Sequence, residues 1–189
     1  MGKSYMKKLS IIQMTYVSMF TVLIIIGAFI KVPVPVVPFT LQFFFTNMAG
    51  ILLGSRLGSL SVLIYMLLGL AGLPVFSAGG GISYVFVPSF GYIIGFVIGT
   101  FVTGYIVEKS RNKSFKVYLI SGFAGLLIVY LMGMIYYYII SNYIIDVAIG
   151  LWPLFLYCFI LAVPGDILLC IICSTLAGRL KKIMGGIII

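Results

Sequence analysis

The chain has 189 residues, of which 63% are hydrophobic and 8% charged, and its mean hydropathy is +1.29. Soluble domains carry roughly 25% charged residues, so this is the composition of an integral membrane protein, with no room for a soluble catalytic domain. The net charge of +9 does not point to nucleic acid, because the basic residues stand at the ends of apolar runs, where they orient a chain against a bilayer.

A chain of this length holds about six spans of roughly 20 residues. The sequence predicts an all-α, polytopic, single membrane domain over 1–189, with six transmembrane helices at about 9–30, 40–55, 57–71, 87–107, 117–141 and 152–177. The opening Met1-Gly-Lys-Ser-Tyr-Met-Lys-Lys8 is like the n-region of a signal peptide. The apolar run that follows to Ile30 is too long for a typical h-region and has no clear small-x-small exit, so it reads as a retained first span.

Between the first two spans, the loop 31–39 contains Pro33, Pro35 and Pro38, which cannot continue a helix. Arg56 marks the far end of the second span, and the third follows at once. The next connection, Gly72-Leu-Pro-Val-Phe-Ser-Ala-Gly-Gly-Gly-Ile-Ser-Tyr84, is apolar but too rich in Gly and Pro for a regular helix. The segment 108–116 is the frankly polar loop of the chain, and 142–150 reads as a short turn.

Six spans place the N-terminus, Arg56, the loop 108–116 and the C-terminus on one side. That side carries Lys3, Lys7, Lys8, Arg56, Lys109, Arg111, Lys113, Lys116, Arg179, Lys181 and Lys182, against Lys31 alone on the other. The imbalance predicts cytoplasmic N- and C-termini. The loops 31–39 and 72–86 then face outward, and they are too apolar to be simple water-exposed linkers. They are expected to fold back over the bundle as lids of an outward-opening pocket.

Asp166 stands in an otherwise uncharged stretch from Trp152 to Cys173, directly after Pro164-Gly165. An ionised side chain near the bilayer centre costs about 2.5–3.5 kcal/mol on insertion scales, so such residues face a cavity, a partner or a substrate. The Pro-Gly pair reads as a helix break, which is tolerated at that depth only when it is buried or lines a cavity. The competing readings are a protonated Asp bonded to nearby backbone and a structural pair with a polar group on another helix.

The chain contains no histidine, which removes the commonest general base and metal ligand. Cys158, Cys170 and Cys173 all lie in apolar sequence, and one C-x-x-C without a second pair makes a poor metal site. No phosphate-binding loop is present. No cofactor or metal is expected, and any nucleotide-driven motor must be carried by other chains. Gly91, Gly95 and Gly99 with Thr103, and Gly50, Gly54 and Gly58, form four-residue stripes of the kind that let helices approach closely. Aromatic residues such as Tyr136, Tyr137 and Tyr138 suit interfacial belts, whereas Tyr84, Tyr92 and Trp152 lie near the lids and are ligand-contact candidates. Gln42 and Asn47 are amides that either bond across helices or read a ligand, and Thr40 is either a helix N-cap or a polar contact.

Val37-Pro-Phe-Thr-Leu-Gln42, Gly69-Leu-Ala-Gly-Leu-Pro-Val-Phe76 with Gly79-Gly80-Gly81, Pro88-Ser-Phe-Gly-Tyr-Ile-Ile-Gly-Phe96 and Pro164-Gly-Asp166 occur in that order. This set resembles the BioY family, the biotin-binding S component of energy-coupling factor (ECF) vitamin transporters, over about 12–180. The resemblance implies a six-helix, multi-pass protein of a prokaryotic plasma membrane that binds biotin from outside. It implies partners too: a shared transmembrane coupling subunit and two ATPase subunits.

By this resemblance the lid loops, including Gly80, Gly81 and Tyr84, enclose the vitamin together with Asp166. Asp166 would accept from the ureido N–H groups, Gln42 or Thr40 would add polar contacts, and Phe39, Phe76 and Tyr92 would pack the apolar part. Two positions depart from the family pattern. Pro-x-Asp-x-x-Lys is usual near the sixth helix, and Leu169 stands here at the Lys position. The Ala-x-x-x-Ala used for docking the coupling subunit is replaced by the region of Thr15 and Ser18. The alternatives are an S component for another small vitamin and a standalone membrane transporter or channel. An intramembrane enzyme lacks a second acid or a histidine within a span.

Overall fold

Ser10 opens the first helix: its side chain accepts from the Gln13 N–H, while Gln13 Oε1 accepts from the Ser10 N–H. This reciprocal cap satisfies two otherwise orphaned donors. The computed structural model describes residues 9–32 and 39–184. Lys3, Lys7 and Lys8, and the loop positions 33–38 with Val37 and Pro38, lie outside the described residues. In α1 (Ile11–Phe29), Val17, Phe20, Thr21, Ile24 and Ala28 are buried, whereas Ile11, Met14, Val22 and Ile26 are exposed. Thr21 Oγ1 donates to Val17 O and, across to the next helix, to Ser61 O at 3.0 Å.

Two short strands follow, β1 (Lys31–Val32) and β2 (Phe39–Thr40), paired antiparallel. Thr40 therefore belongs to a strand, and Leu41 occupies the N-cap of α2 (Gln42–Leu70). That helix is broken at Gly54, where φ is 83° and ψ −176°, a conformation essentially confined to glycine. The chain doubles back there. A Cβ on Gly58 would lie 2.8 Å from Ala49 O and 3.1 Å from Gly50 Cα, so the halves 42–53 and 55–70 lie against each other. Gly50 and Gly58 serve close packing as their spacing suggests, but Gly54 is the reversal itself. Glu108 caps the helix restarted at Ser55, its Oε1 accepting the Ser55 N–H at 2.8 Å and its Oε2 the Ser55 hydroxyl at 2.7 Å.

The loop 72–86 is packed on the bundle rather than extended into solvent. Phe76 is 1% exposed and meets Tyr65 edge-on at 5.4 Å and Tyr84 at 4.5 Å between centroids. Gly81, with φ of 106°, sends its N–H to Gly69 O at 2.7 Å. The loop closes in a 3₁₀ turn, Ile82–Phe86, and is tied from two sides: Tyr136 Oη donates to Val85 O at 2.6 Å, and Lys31 Nζ donates to Ser77 O at 3.0 Å.

Helices α3 (Phe90–Lys109) and α4 (Phe115–Tyr143) form the most extensive helix pair. The glycine stripe of α3 lies against α4: a Cβ on Gly95 would sit 2.9 Å from Val129 Cα and one on Gly99 2.8 Å from Gly125 O. Thr103 Oγ1 extends the seam by donating to Ser121 O at 3.1 Å. On the opposite face of α4, Ile120, Leu127, Leu131 and Ile135 are exposed. The helix runs past Asn142, which was expected in the following turn; its amide instead pins the incoming chain through both polar groups of Ile149.

The last span is interrupted. A short helix α5 (Leu151–Phe155) passes into a π-helical turn, Leu156–Ile160, before α6 (Val163–Met184) begins. The break thus lies upstream of Pro164-Gly165. Pro164 falls in the first turn of α6, where its missing N–H costs nothing. Altogether the described residues contain five long apolar helical segments of membrane-spanning length and composition, counting α2 as one and α5 to α6 as one.

Candidate ligand-binding site

Asp166 lies in the first turn of α6, where the helix dipole favours a carboxylate. It is 7% exposed, and its Oδ2 accepts the hydroxyl of Tyr130 at 2.5 Å. Of the readings open from sequence, a polar partner on another helix is therefore realised. One acceptor oxygen is engaged by Tyr130, and Oδ1 stays available to a second donor.

The pair borders a cavity of about 440 Å³, walled by Phe39, Thr40 and Phe43 on one side, Tyr92 and Phe96 on another, and Val129, Tyr157, Cys158 and Ala162 on the rest. Thr40, Tyr92 and Phe96 also line a second cavity of about 420 Å³, together with Gln42, Tyr65, Ser77, Tyr84, Ser89 and Ile93. The two therefore adjoin around Tyr92. The composite has polar groups at both ends, Asp166 with Tyr130 and Gln42 with Ser77, Tyr84 and Ser89, and an apolar waist between them. Tyr92 is fixed there by donating its hydroxyl to Cys158 O at 3.3 Å and by an edge-on contact with the Tyr130 ring at 6.2 Å.

Gln42 is 5% exposed, and its Nε2 has no hydrogen-bond partner among the described residues. An unmet buried donor costs about 1–3 kcal/mol, and here it belongs to a residue that lines the cavity. Asn47, deeper in the bundle, has an unmet Oδ1 and a long 3.9 Å contact from Nδ2 to Cys170 Sγ; it is not among the cavity residues.

The predicted ligand contacts divide accordingly. Phe39, Thr40, Gln42, Tyr84, Tyr92 and Asp166 come together around the two cavities. Phe76 does not line them and instead backs Tyr84 within the aromatic cluster. Gly80 and Gly81 shape the loop: a Cβ on Gly80 would collide with Leu73 O, and Gly81 holds a positive φ. Trp152 is 68% exposed and lies apart from the site. Leu169 packs in the core at 9% exposure. Thr15 and Ser18 are exposed on α1, Thr15 Oγ1 donating to Ile11 O.

Residues 3–186 match the model of the BioY family. The chain belongs to the BioY family. A probable biotin transporter BioY of Lysinibacillus sphaericus is 40% identical over 178 residues, covering 94% of this chain and 91% of the relative. The biotin transporter BioY of Thermotoga maritima is 39% identical over 176 residues, covering 90% and 96%. Among solved structures, the S-component for biotin from an ECF-type ABC transporter matches with a TM-score of 0.77 at 30% identity over 90% of each chain. These are transporter components, not enzymes, and this BioY member is a multi-pass membrane protein.

Tyr130 is the main site residue that sequence reasoning misses. It lies near the middle of α4, too deep for an interfacial belt, and a phenol at that depth needs a buried acceptor. That position was the available signal. Phe43, Phe96 and Val129 carry no comparable mark, being apolar residues in apolar helices.

Proposed function

We propose that this chain is the high-affinity substrate-binding S component of a biotin uptake system. The observation that carries the reading is the pair of adjoining cavities, with a buried carboxylate at one end, uncharged donors at the other and aromatic walls between. Biotin has the matching order of groups: a ureido ring that offers N–H donors, an apolar thioether ring and alkyl chain, and a terminal carboxylate. Asp166, oriented by Tyr130, accepts from the ureido ring; Phe39 and Tyr92 pack the apolar part; Thr40, Gln42 and Tyr84 meet the polar far end. Phe76, Gly80 and Gly81 act indirectly, by shaping the loop that carries Tyr84 and Ser77. Lys31 supplies the cationic side chain at that end, since its Nζ is held at Ser77 O and Ser77 lines the second cavity.

The likeness to a solved biotin S-component supports the same division of labour. A shared transmembrane coupling subunit would dock on the exposed face of α1 around Thr15 and Ser18, and two ATPase subunits would drive transport. We further propose six membrane crossings, with the Gly54 reversal separating the second from the third. Both termini would be cytoplasmic in a prokaryotic plasma membrane, and the biotin site would open outward, at the end of Lys31.

Calorimetry with the purified chain tests the substrate. Submicromolar binding of biotin, with no binding of thiamine or riboflavin, is expected. Binding of another vitamin in place of biotin would overturn the substrate while leaving the transporter class intact.

A further inference from the structure

A cavity larger than the one beside Asp166 lies elsewhere in the bundle. At the opposite end of the bundle, about 1060 Å³ of open space lies between the Gly54 reversal, the end of α3 and the end of α6. Arg56, Lys113 and Lys181 line it with a single carboxylate, Glu108. Both Glu108 oxygens are engaged by Ser55. Lys181 donates to Ile51 O at 3.2 Å, and Lys113 donates to Val107 O and Glu108 O. An ammonium has three hydrogens, so Lys181 keeps donors free, and the cavity holds an excess of two positive charges.

This basic cavity continues into an apolar one. Leu52 lines both, and Leu180, in the second, immediately precedes Lys181 in the first. The second is a groove of about 580 Å³ among α1, the first half of α2 and α6, with Met19, Leu23, Met48 and Leu176 on its walls and no polar surface. Neither region touches the vitamin site. A partner of purely ionic or purely apolar character would use only half of this surface.

We infer that the two together form a binding site for an anionic phospholipid, with the phosphodiester in the Arg56–Lys113–Lys181 cavity and an acyl chain along the Leu52–Leu176 groove. Charge complementarity sets the occupant: basic pockets between transmembrane helices are where acidic head groups are held, and the adjoining groove offers nothing that a free anion would recognise.

The test is native mass spectrometry of the full chain released from nanodiscs of equimolar phosphatidylcholine and phosphatidylglycerol. The expected result is retention of phosphatidylglycerol over phosphatidylcholine by about tenfold or more, falling to near parity in Arg56→Gln/Lys113→Gln/Lys181→Gln. Because Lys181 also holds the Ile51 carbonyl, Arg56→Gln/Lys113→Gln serves as a second variant and is expected to lose most of the preference. Leu176→Trp, which fills the groove but keeps every charge, should weaken retention of phosphatidylglycerol as well. Equal retention of the two lipids by the wild type, or an undiminished preference in the double variant, would overturn the site. Displacement of phosphatidylglycerol by millimolar inorganic phosphate, with Leu176→Trp unchanged, would reassign the cavity to a free anion and overturn the lipid.

Discussion

The Tyr130 hydroxyl and the Asp166 carboxylate meet at 2.5 Å, joining the middle of α4 to the first turn of α6. A hydrogen bond to a charged group is worth about 1.5–3 kcal/mol. If Asp166 accepts from the ligand through its remaining oxygen, Asp166→Asn weakens biotin binding by about 10- to 150-fold. Tyr130→Phe, which leaves the carboxylate but frees its orientation, weakens it by about fivefold. The two changes act on one contact, so the double variant loses less than their sum. Calorimetry on all four proteins is the check, and full additivity would show that Tyr130 has no part in positioning Asp166.

Gln42 presents a different balance, because its unmet Nε2 is a cost in the empty protein and a donor in the loaded one. Gln42→Met keeps the shape and removes the donor. The ligand-free melting temperature should hold or rise, by an amount equivalent to as much as about 1 kcal/mol, while biotin affinity falls roughly five- to tenfold. A loss of stability without a loss of affinity would make Gln42 a structural residue.

Lys31 ties the first loop to the second through Ser77 O. Lys31→Met removes both the tie and the positive charge near the far end of the cavity. Release of biotin should quicken by about five- to tenfold, with little change in melting temperature, since the side chain is exposed. Stopped-flow displacement of a fluorescent biotin conjugate reads this directly. An unchanged release rate would detach Lys31 from the site.

At the other end, Gly54 has a backbone that side chains rarely adopt, and a Cβ there would overlap the Glu108 carboxylate. Gly54→Ala should therefore destabilise the fold by about 1–3 kcal/mol or more. Glu108→Ala, which removes the cap from Ser55, should cost about 0.5–2 kcal/mol. Thermal unfolding in detergent measures both. Equal tolerance of alanine at Gly54 and at Gly178, which has ordinary φ and open space around it, would contradict the strain argument.

Much of this was legible in the sequence, because apolar run length and punctuation report directly on helices in a bilayer. The ends of α1 and α3 and the folded-over loop at 72–86 followed from Pro, Gly and charged residues. Side-chain roles within apolar runs were harder to read. Asp166 announced itself by its charge, but Tyr130 became its partner only through the rotation of α4 against α3, set by Gly95 and Gly99. Gly54 looked like its neighbours Gly50 and Gly58 because a four-residue spacing does not distinguish packing from reversal. Phe76 looked like a ligand contact because it sits in the lid motif, yet a large ring there fills the space behind Tyr84 instead.

The reversal at Gly54 also bears on the membrane around the protein. At about 1.5 Å of rise per residue, the two halves of α2 measure only about 18 and 24 Å, against a hydrocarbon thickness of about 30 Å. With each half forming one crossing, as proposed above, a hairpin this short leaves the bilayer to thin locally or the subunit to tilt, each at a modest cost per ångström of mismatch. On that six-crossing reading, lipids of different chain length should set how readily the subunit leans in the membrane.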